Sequence, residues 1–124
     1  MHFNFEGDAP LYQQVADEIA EGIFNGSYDE GTQIPSTTEI SKLYKINPAT
    51  ILKGMNILVE ENLIEKKRGL GMFVKRGAQQ ILMEKRKAEF INQKLLSVLE
   101  EAQKLNITQE QLIQLIKGGY ERWV

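Results

Sequence analysis

The chain reads as mainly α with one small β-hairpin, and three observations between Ile34 and Val74 predict it. Ile34-Pro35-Ser36-Thr37-Thr38-Glu39-Ile40 is a helix start. Lys45-Ile46-Asn47-Pro48-Ala49-Thr50-Ile51 is a second helix start, a short turn later. Leu63-Ile64-Glu65-Lys66-Lys67-Arg68-Gly69-Leu70-Gly71-Met72-Phe73-Val74 is a basic hairpin with two glycines. Helix, turn, helix and β-wing in that order make a winged helix-turn-helix, an arrangement that sets a helix into the DNA major groove. Residues 1–77 are expected to form this domain, and residues 78–124 a two-helix C-terminal dimerisation tail.

The elements follow in order. Phe3 to Phe5 alternates and reads as a short strand or a docking arm, broken by Gly7 and Asp8. Pro10 suits the first turn of a helix, where its missing N–H removes no bond. Leu11, Val15, Ile19 and Ile23 recur every four residues, with Tyr12, Ala16 and Ala20 beside them, so one apolar helix face runs to about Phe24. Asn25-Gly26 ends it. Ser36 precedes Glu39 by three residues, the spacing of a capping box. Ile40, Leu43 and Tyr44 are expected on the buried side of this second helix. Asn47 is a preferred N-cap and Pro48 a preferred first helical residue. The third helix is expected from Pro48 to Glu61, with Ile51, Met55 and Leu58 buried and Leu52 and Val59 flanking them. Asn62 suits the left-handed stop.

Leu63 to Glu65 and Met72 to Val74 read as two strands around a hairpin tip at Lys66 to Gly71. From Gln79 the apolar positions Ile81, Leu82, Phe90, Ile91, Leu95, Val98, Leu99 and Ala102 suit one long helix to about Leu105. Thr108 and Gln111 cap a last helix, which Gly118-Gly119 is expected to end. Tyr120 and Trp123 read as packing a helix end, or as an aromatic ligand site.

Composition bounds the function. Of 124 residues, 42% are hydrophobic and 26% charged, which is ordinary for a soluble domain. No apolar run approaches the roughly 20 residues of a membrane span, and the N-terminus has no secretory pattern. The absence of cysteine fits a cytoplasmic protein and removes thiol chemistry. The net charge of −2 hides a segregation. Residues 1–41 hold eight acids and no Lys or Arg, whereas residues 42–76 hold eight basic residues against three acids. The positive charge therefore falls on the candidate DNA-reading elements, and a local basic footprint matters more than the total.

The candidate contacts follow. The third helix presents Asn47, Ala49, Thr50 and Lys53 on its opening turns. Asparagine pairs with adenine, lysine with guanine or phosphate, and an alanine or threonine methyl with the thymine methyl. Asn47 reads equally as a cap alone, and Thr50 as a residue bonding its own turn. At the wing tip Lys67, Arg68 and Gly69 would approach the minor groove, with Arg68 the leading contact. Ser36 and Thr37 open the second helix, where backbone phosphate is commonly met. His2 is the only histidine, so neither a catalytic triad nor a histidine-rich metal site is expected. No enzyme activity, cofactor or metal is expected.

These residues resemble the GntR family of bacterial transcription regulators over about residues 9–75. The resemblance rests on Pro10-Leu11-Tyr12-Gln13-Gln14-Val15, on Gly26-Ser27-Tyr28 through Gly31 to Ile34-Pro35-Ser36, on Asn47-Pro48-Ala49-Thr50 and on Arg68-Gly69-Leu70-Gly71-Met72-Phe73-Val74. The short tail and the Asn-Pro-x-Thr helix start look most like its YtrA subfamily. The resemblance implies a repressor that binds double-stranded DNA at an inverted repeat, as a homodimer through the C-terminal helices, often at transporter operons. Two residues depart from the family pattern. Thr38 stands where an arginine is usual, and Leu52 where arginine or glutamine is frequent. The sequence names no small-molecule effector, and the tail is too short for a large effector domain. The competing reading is a winged-helix protein–protein interaction module, which would have no need of a cationic wing tip.

Overall fold

The computed structural model describes residues 1–123. Its contacts divide into two compact units, Met1–Glu84 and Lys85–Val124.

The first unit is a winged helix-turn-helix. Helix α1 (Leu11–Phe24) buries Val15, Ala16, Ile19 and Ile23, the stripe its four-residue period predicts. Pro10 is the N-cap rather than a first-turn residue, because its extended backbone (ψ 148°) lies outside the helix. Helix α2 (Thr37–Tyr44) starts on the expected capping box and buries Ile40. Leu43, expected inside, is 73% exposed; a helix this short buries a narrow stripe, and Phe3 covers the adjacent Tyr44 edge-to-face at 5.2 Å. Residues 3–5 thus form a docking arm, not a strand. The Asn4 N–H donates to Gln14 Oε1 at 2.6 Å, and Gln14 Nε2 donates back to the Asn4 carbonyl at 2.7 Å.

The turn into helix α3 (Pro48–Glu60) is made by Lys45, which takes a left-handed φ of 55°, and by Ile46, which is buried. The Ser41 hydroxyl donates to the Ile46 carbonyl at 2.6 Å and holds this turn closed. Helix α3 buries Ile51, Gly54, Met55 and Leu58. It stops as expected at Asn62, φ 62°, where the Leu63 N–H donates to the Leu58 carbonyl at 3.0 Å in a Schellman pattern.

Strands β1 (Ile64–Lys67) and β2 (Gly71–Val74) pair antiparallel, Ile64 opposite Val74 and Lys67 opposite Gly71. Lys66 and Lys67 therefore belong to the strand, and the hairpin tip is shorter than predicted. Ile64 and Val74 close the core from the wing side.

Helix α4 (Ala78–Glu89) opens inside the first unit, where Ala78 and Leu82 join the core. Its first turn is held by Glu30, whose carboxylate accepts from the Gly77 N–H at 2.7 Å and from the Gln79 N–H at 3.2 Å. Gln79 Nε2 also donates to the Ile23 carbonyl at 3.1 Å. The Gly77-Ala78 junction, where the glycine takes φ 88°, is thus bonded to the winged unit.

The second unit is helical. A π-helical stretch (Phe90–Leu95) follows α4 and runs into α5 (Leu96–Lys104). The sequence predicts one long helix here, and the apolar spacing carries no mark of the π turn. Asn106 stops α5 at φ 57°, and the Ile107 N–H bonds the Ala102 carbonyl at 2.9 Å. Thr108 and Gln111 cap α6 (Gln109–Trp123) reciprocally, at 2.9 and 3.1 Å. Gly118 and Gly119 do not end α6. Neither adopts a positive φ, and without that a glycine only lowers helix propensity, by about 1 kcal/mol. Tyr120 is exposed, so it packs no helix end within its unit. The side chain of Trp123 lies outside the described residues.

Candidate nucleic-acid interface

Every residue the sequence nominates caps or lies on α2 or α3, or lies on the wing of the first unit, and most are also used to hold these elements in place. Ser36 engages both its hydroxyl and its backbone: the Glu39 N–H donates to Ser36 Oγ at 3.0 Å, and the Ser36 N–H donates to Glu39 Oε1 at 3.3 Å. The Thr37 hydroxyl donates to Met55 Sδ at 3.5 Å, which ties the start of α2 to the middle of α3. Asn47 is the N-cap of α3, its Oδ1 accepting from the Ala49 N–H at 2.9 Å. Asn47 and Ala49 are exposed, and Thr50 is half-buried.

Lys53 is exposed but not idle. Its ammonium lies 3.9 Å from the centroid of the Tyr12 ring on α1. A cation over an aromatic face gains roughly 0.5–1 kcal/mol at an exposed site, so Tyr12 positions this charge. From the sequence Tyr12 is legible as a neighbour of the apolar face and as part of the family motif, not as the seat of the Lys53 ammonium.

The wing is built around a tight turn. The Leu70 N–H donates to the Lys67 carbonyl at 2.9 Å, which places Arg68 and Gly69 at the two central positions. Gly69 has φ 79°, the value that the second central residue of a type II turn requires and that L-residues with a Cβ resist. Arg68, the first central residue, is exposed. The Lys67 ammonium sits 4.5 Å from the Phe73 ring centroid, a diagonal cross-strand contact that the register sets up.

A residue that sequence reading missed holds this turn. Gln33 Nε2 donates to the Leu70 carbonyl at 2.7 Å, and residues 31–34 lie along β2 as a third, strand-like segment. Gly31 N–H bonds the Val74 carbonyl at 2.8 Å, Val74 N–H bonds the Thr32 carbonyl at 2.9 Å and Ile34 N–H bonds the Met72 carbonyl at 3.0 Å. Nothing in the loop sequence signals this, because the pairing uses backbone groups and one polar side chain. Replacing Gln33 by alanine leaves the Leu70 carbonyl without this donor. Loss of one such bond costs about 1 kcal/mol. Amide exchange at Leu70 and Val74 is therefore expected to accelerate by roughly fivefold in Gln33→Ala; unchanged exchange would mean that the turn supports itself.

The outward face of α3 is wider than the sequence suggested. Ala49, Leu52, Lys53 and Asn56 are all exposed, at spacings of three, four and seven that put them on one side of the helix. Leu52, expected to flank the buried stripe, is 45% exposed. The exposed cations Lys42, Lys45, Lys66, Lys67 and Arg68 belong to the same unit as this face.

Comparison with known proteins agrees with this geometry. The model of the gntR family of bacterial regulatory proteins matches residues 11–74, from the start of α1 to the end of the wing. The chain is 29% identical over 108 residues to the HTH-type transcriptional repressor YtrA of Bacillus subtilis, covering 87% of this chain and 82% of that protein. It is 26% identical over 117 residues to the uncharacterized HTH-type transcriptional regulator YhcF of the same organism, covering 94% of this chain and 95% of that one. The crystal structure of a putative GntR-family transcriptional regulator from Bacteroides thetaiotaomicron superposes with a TM-score of 0.78 at 28% identity, over 91% of this chain and 99% of that one. A winged domain with this match, joined to a short helical tail that the YtrA likeness also spans, leads to one assignment: the chain belongs to the gntR family of bacterial regulatory proteins, YtrA-like within it, and is a non-enzymatic DNA-binding transcription regulator.

Proposed function

We propose that the protein is a repressor that binds an inverted-repeat operator as a homodimer, with α3 in the major groove and the wing at the neighbouring minor groove. The observation that carries this reading is the wing tip: Arg68 stands exposed on a turn pinned by Gln33, beside Lys66 and Lys67. A rigid cationic tip lowers the entropy lost when a phosphate or groove edge is engaged, and a scaffold for another protein has no need of one. Asn47, Ala49, Thr50 and Lys53 are the proposed contacts of α3, Ser36 and Thr37 those of α2 with backbone phosphate, and Lys67, Arg68 and Gly69 those of the wing. Repression follows from occupying promoter DNA. The relative YtrA is named a repressor, and the subfamily resemblance favours a transporter operon as the target.

Each phosphate contact releases counterions, so affinity should fall steeply with salt. Arg68→Ala is expected to weaken operator binding and to reduce the slope of log K against log salt by about 1, with Lys67→Ala adding a similar decrement. Fluorescence anisotropy at two or more salt concentrations measures both. Unaltered binding by the double variant would remove the wing from the interface.

A further inference from the structure

We infer that Leu52, with Ala49 beside it, is a specificity-determining residue that reads the 5-methyl group of a thymine in the operator major groove. The inference rests on α3 being the reading helix and names what the centre of its outward face reads.

The first observation is where Leu52 lies. It is a large aliphatic side chain, 45% exposed, one turn after Ala49 on the same exposed face. Nothing in its own unit requires it there, since the α3 core is completed by Ile51, Met55 and Leu58. The second observation is what the polar neighbours are doing. Asn47 Oδ1 is held by the Ala49 N–H, Thr50 is half-buried, and the Lys53 ammonium is drawn over Tyr12. Asn47, Thr50 and Lys53 each have a polar role on these opening turns, and beside them Ala49 and Leu52 form an exposed apolar patch. Ala49 contributes little bulk, so the helix can approach the base edges closely enough for Leu52 to touch them.

The occupant follows from groove chemistry. The major-groove edges of guanine, cytosine and adenine present only donors and acceptors, whereas thymine adds a methyl group, the one apolar feature there. The exposed Lys53 beside the patch, and the further exposed cations of the same unit, favour a nucleic acid over an apolar protein surface, which would have to desolvate them. Setting Leu52 against any other base edge would desolvate a polar group without compensation, so the same contact also disfavours G·C at that position.

The test uses the full chain and an operator recovered by selection from random duplex DNA. Each thymine is then replaced in turn by deoxyuridine, which removes only the methyl group, and affinities are measured by anisotropy. One position in each half-site is expected to weaken wild-type binding by about fourfold, the equivalent of one buried methyl group. Leu52→Ala should bind the thymine operator more weakly by a similar factor and be indifferent to deoxyuridine at that one position, while Leu52→Met retains the discrimination. The assignment is overturned if no thymine methyl matters to the wild type, if Leu52→Ala discriminates as well as wild type, or if it loses discrimination at every position alike. In those cases selective, salt-dependent binding would survive and the role of α3 would stand. Failure to enrich any sequence would overturn both.

Discussion

Replacing Ile113 and Ile116 together by aspartate is expected to turn the protein into a monomer and to lower affinity for a full operator by roughly 10²–10⁴. The reason lies in the second unit, which has almost no interior. Among its described residues, Ala102 is the single buried hydrophobic side chain. Phe90, Ile91, Leu96, Val98, Leu105, Ile113, Leu115 and Ile116 are all exposed. A patch of this kind on a unit too small to build its own core needs a partner. Ile113 and Ile116 lie one turn apart on α6 and are both exposed, so aspartate there puts no charge into a described interior. In a two-fold dimer each substitution acts twice and buries unpaired charge.

Loss of the proposed dimer would convert a bivalent encounter into two independent half-site encounters, which is where the large factor arises. Sedimentation velocity at micromolar concentration reads the mass, and anisotropy with whole and half operators reads the affinity. A variant that stays dimeric would place the interface elsewhere. A chain ending at Glu84 is the complementary probe. It keeps Ala78 and Leu82, which belong to the winged core; a cut near Ala78 would remove Leu82 and confound loss of dimer with loss of fold.

Gly54→Ala should destabilise the winged unit by about 1–3 kcal/mol, the usual cost of overpacking a core. A Cβ built on Gly54 would lie 2.6 Å from the Tyr12 carbonyl oxygen and 3.0 Å from Val15 side-chain carbons. The nearest atom is backbone of α1 and cannot rotate aside, so the two helices must separate. Alanine raises helix propensity by about 1 kcal/mol over glycine, which offsets only part of this. The thermal midpoint should fall by about 4–8 °C per kcal/mol for a unit of this size. Gly118→Ala is the matched contrast. It also lies within a helix, α6, but its Cβ would meet no heavy atom within 4 Å; here the propensity gain is unopposed and stability should rise slightly. A midpoint for Gly54→Ala at or above wild type would mean that α1 and α3 can part without loss.

The contrast between these glycines shows how far local sequence reaches. The pattern of residues 9–75 determined α1, α2, α3 and the wing, because each carries its own signals: a four-residue apolar period, a capping box at Ser36 and Glu39, an Asn-Pro start, an asparagine at a left-handed stop. These are interactions among residues within a turn or two of one another, and they leave a mark in the order of the chain. The same local logic fails at Gly118-Gly119, where a stop signal has no tertiary or φ requirement behind it, and at Leu43, where the period names a face that no partner covers.

The site divides in the same way. That Arg68 tops a turn and Asn47 caps a helix was legible from neighbours in sequence. The Tyr12 ring under Lys53, the Gln33 amide on the Leu70 carbonyl and the Glu30 carboxylate on the first turn of α4 were not. They join residues 41, 37 and 47 positions apart or more, and each is a polar or aromatic side chain whose partner is a backbone group or a charge rather than an apolar stripe. Only folding brings such groups within reach, so only the tertiary structure decided that α3 exposes a leucine beside a lysine seated over Tyr12, that the wing is braced from a preceding loop, and that the first turn of α4 is bonded to the winged unit.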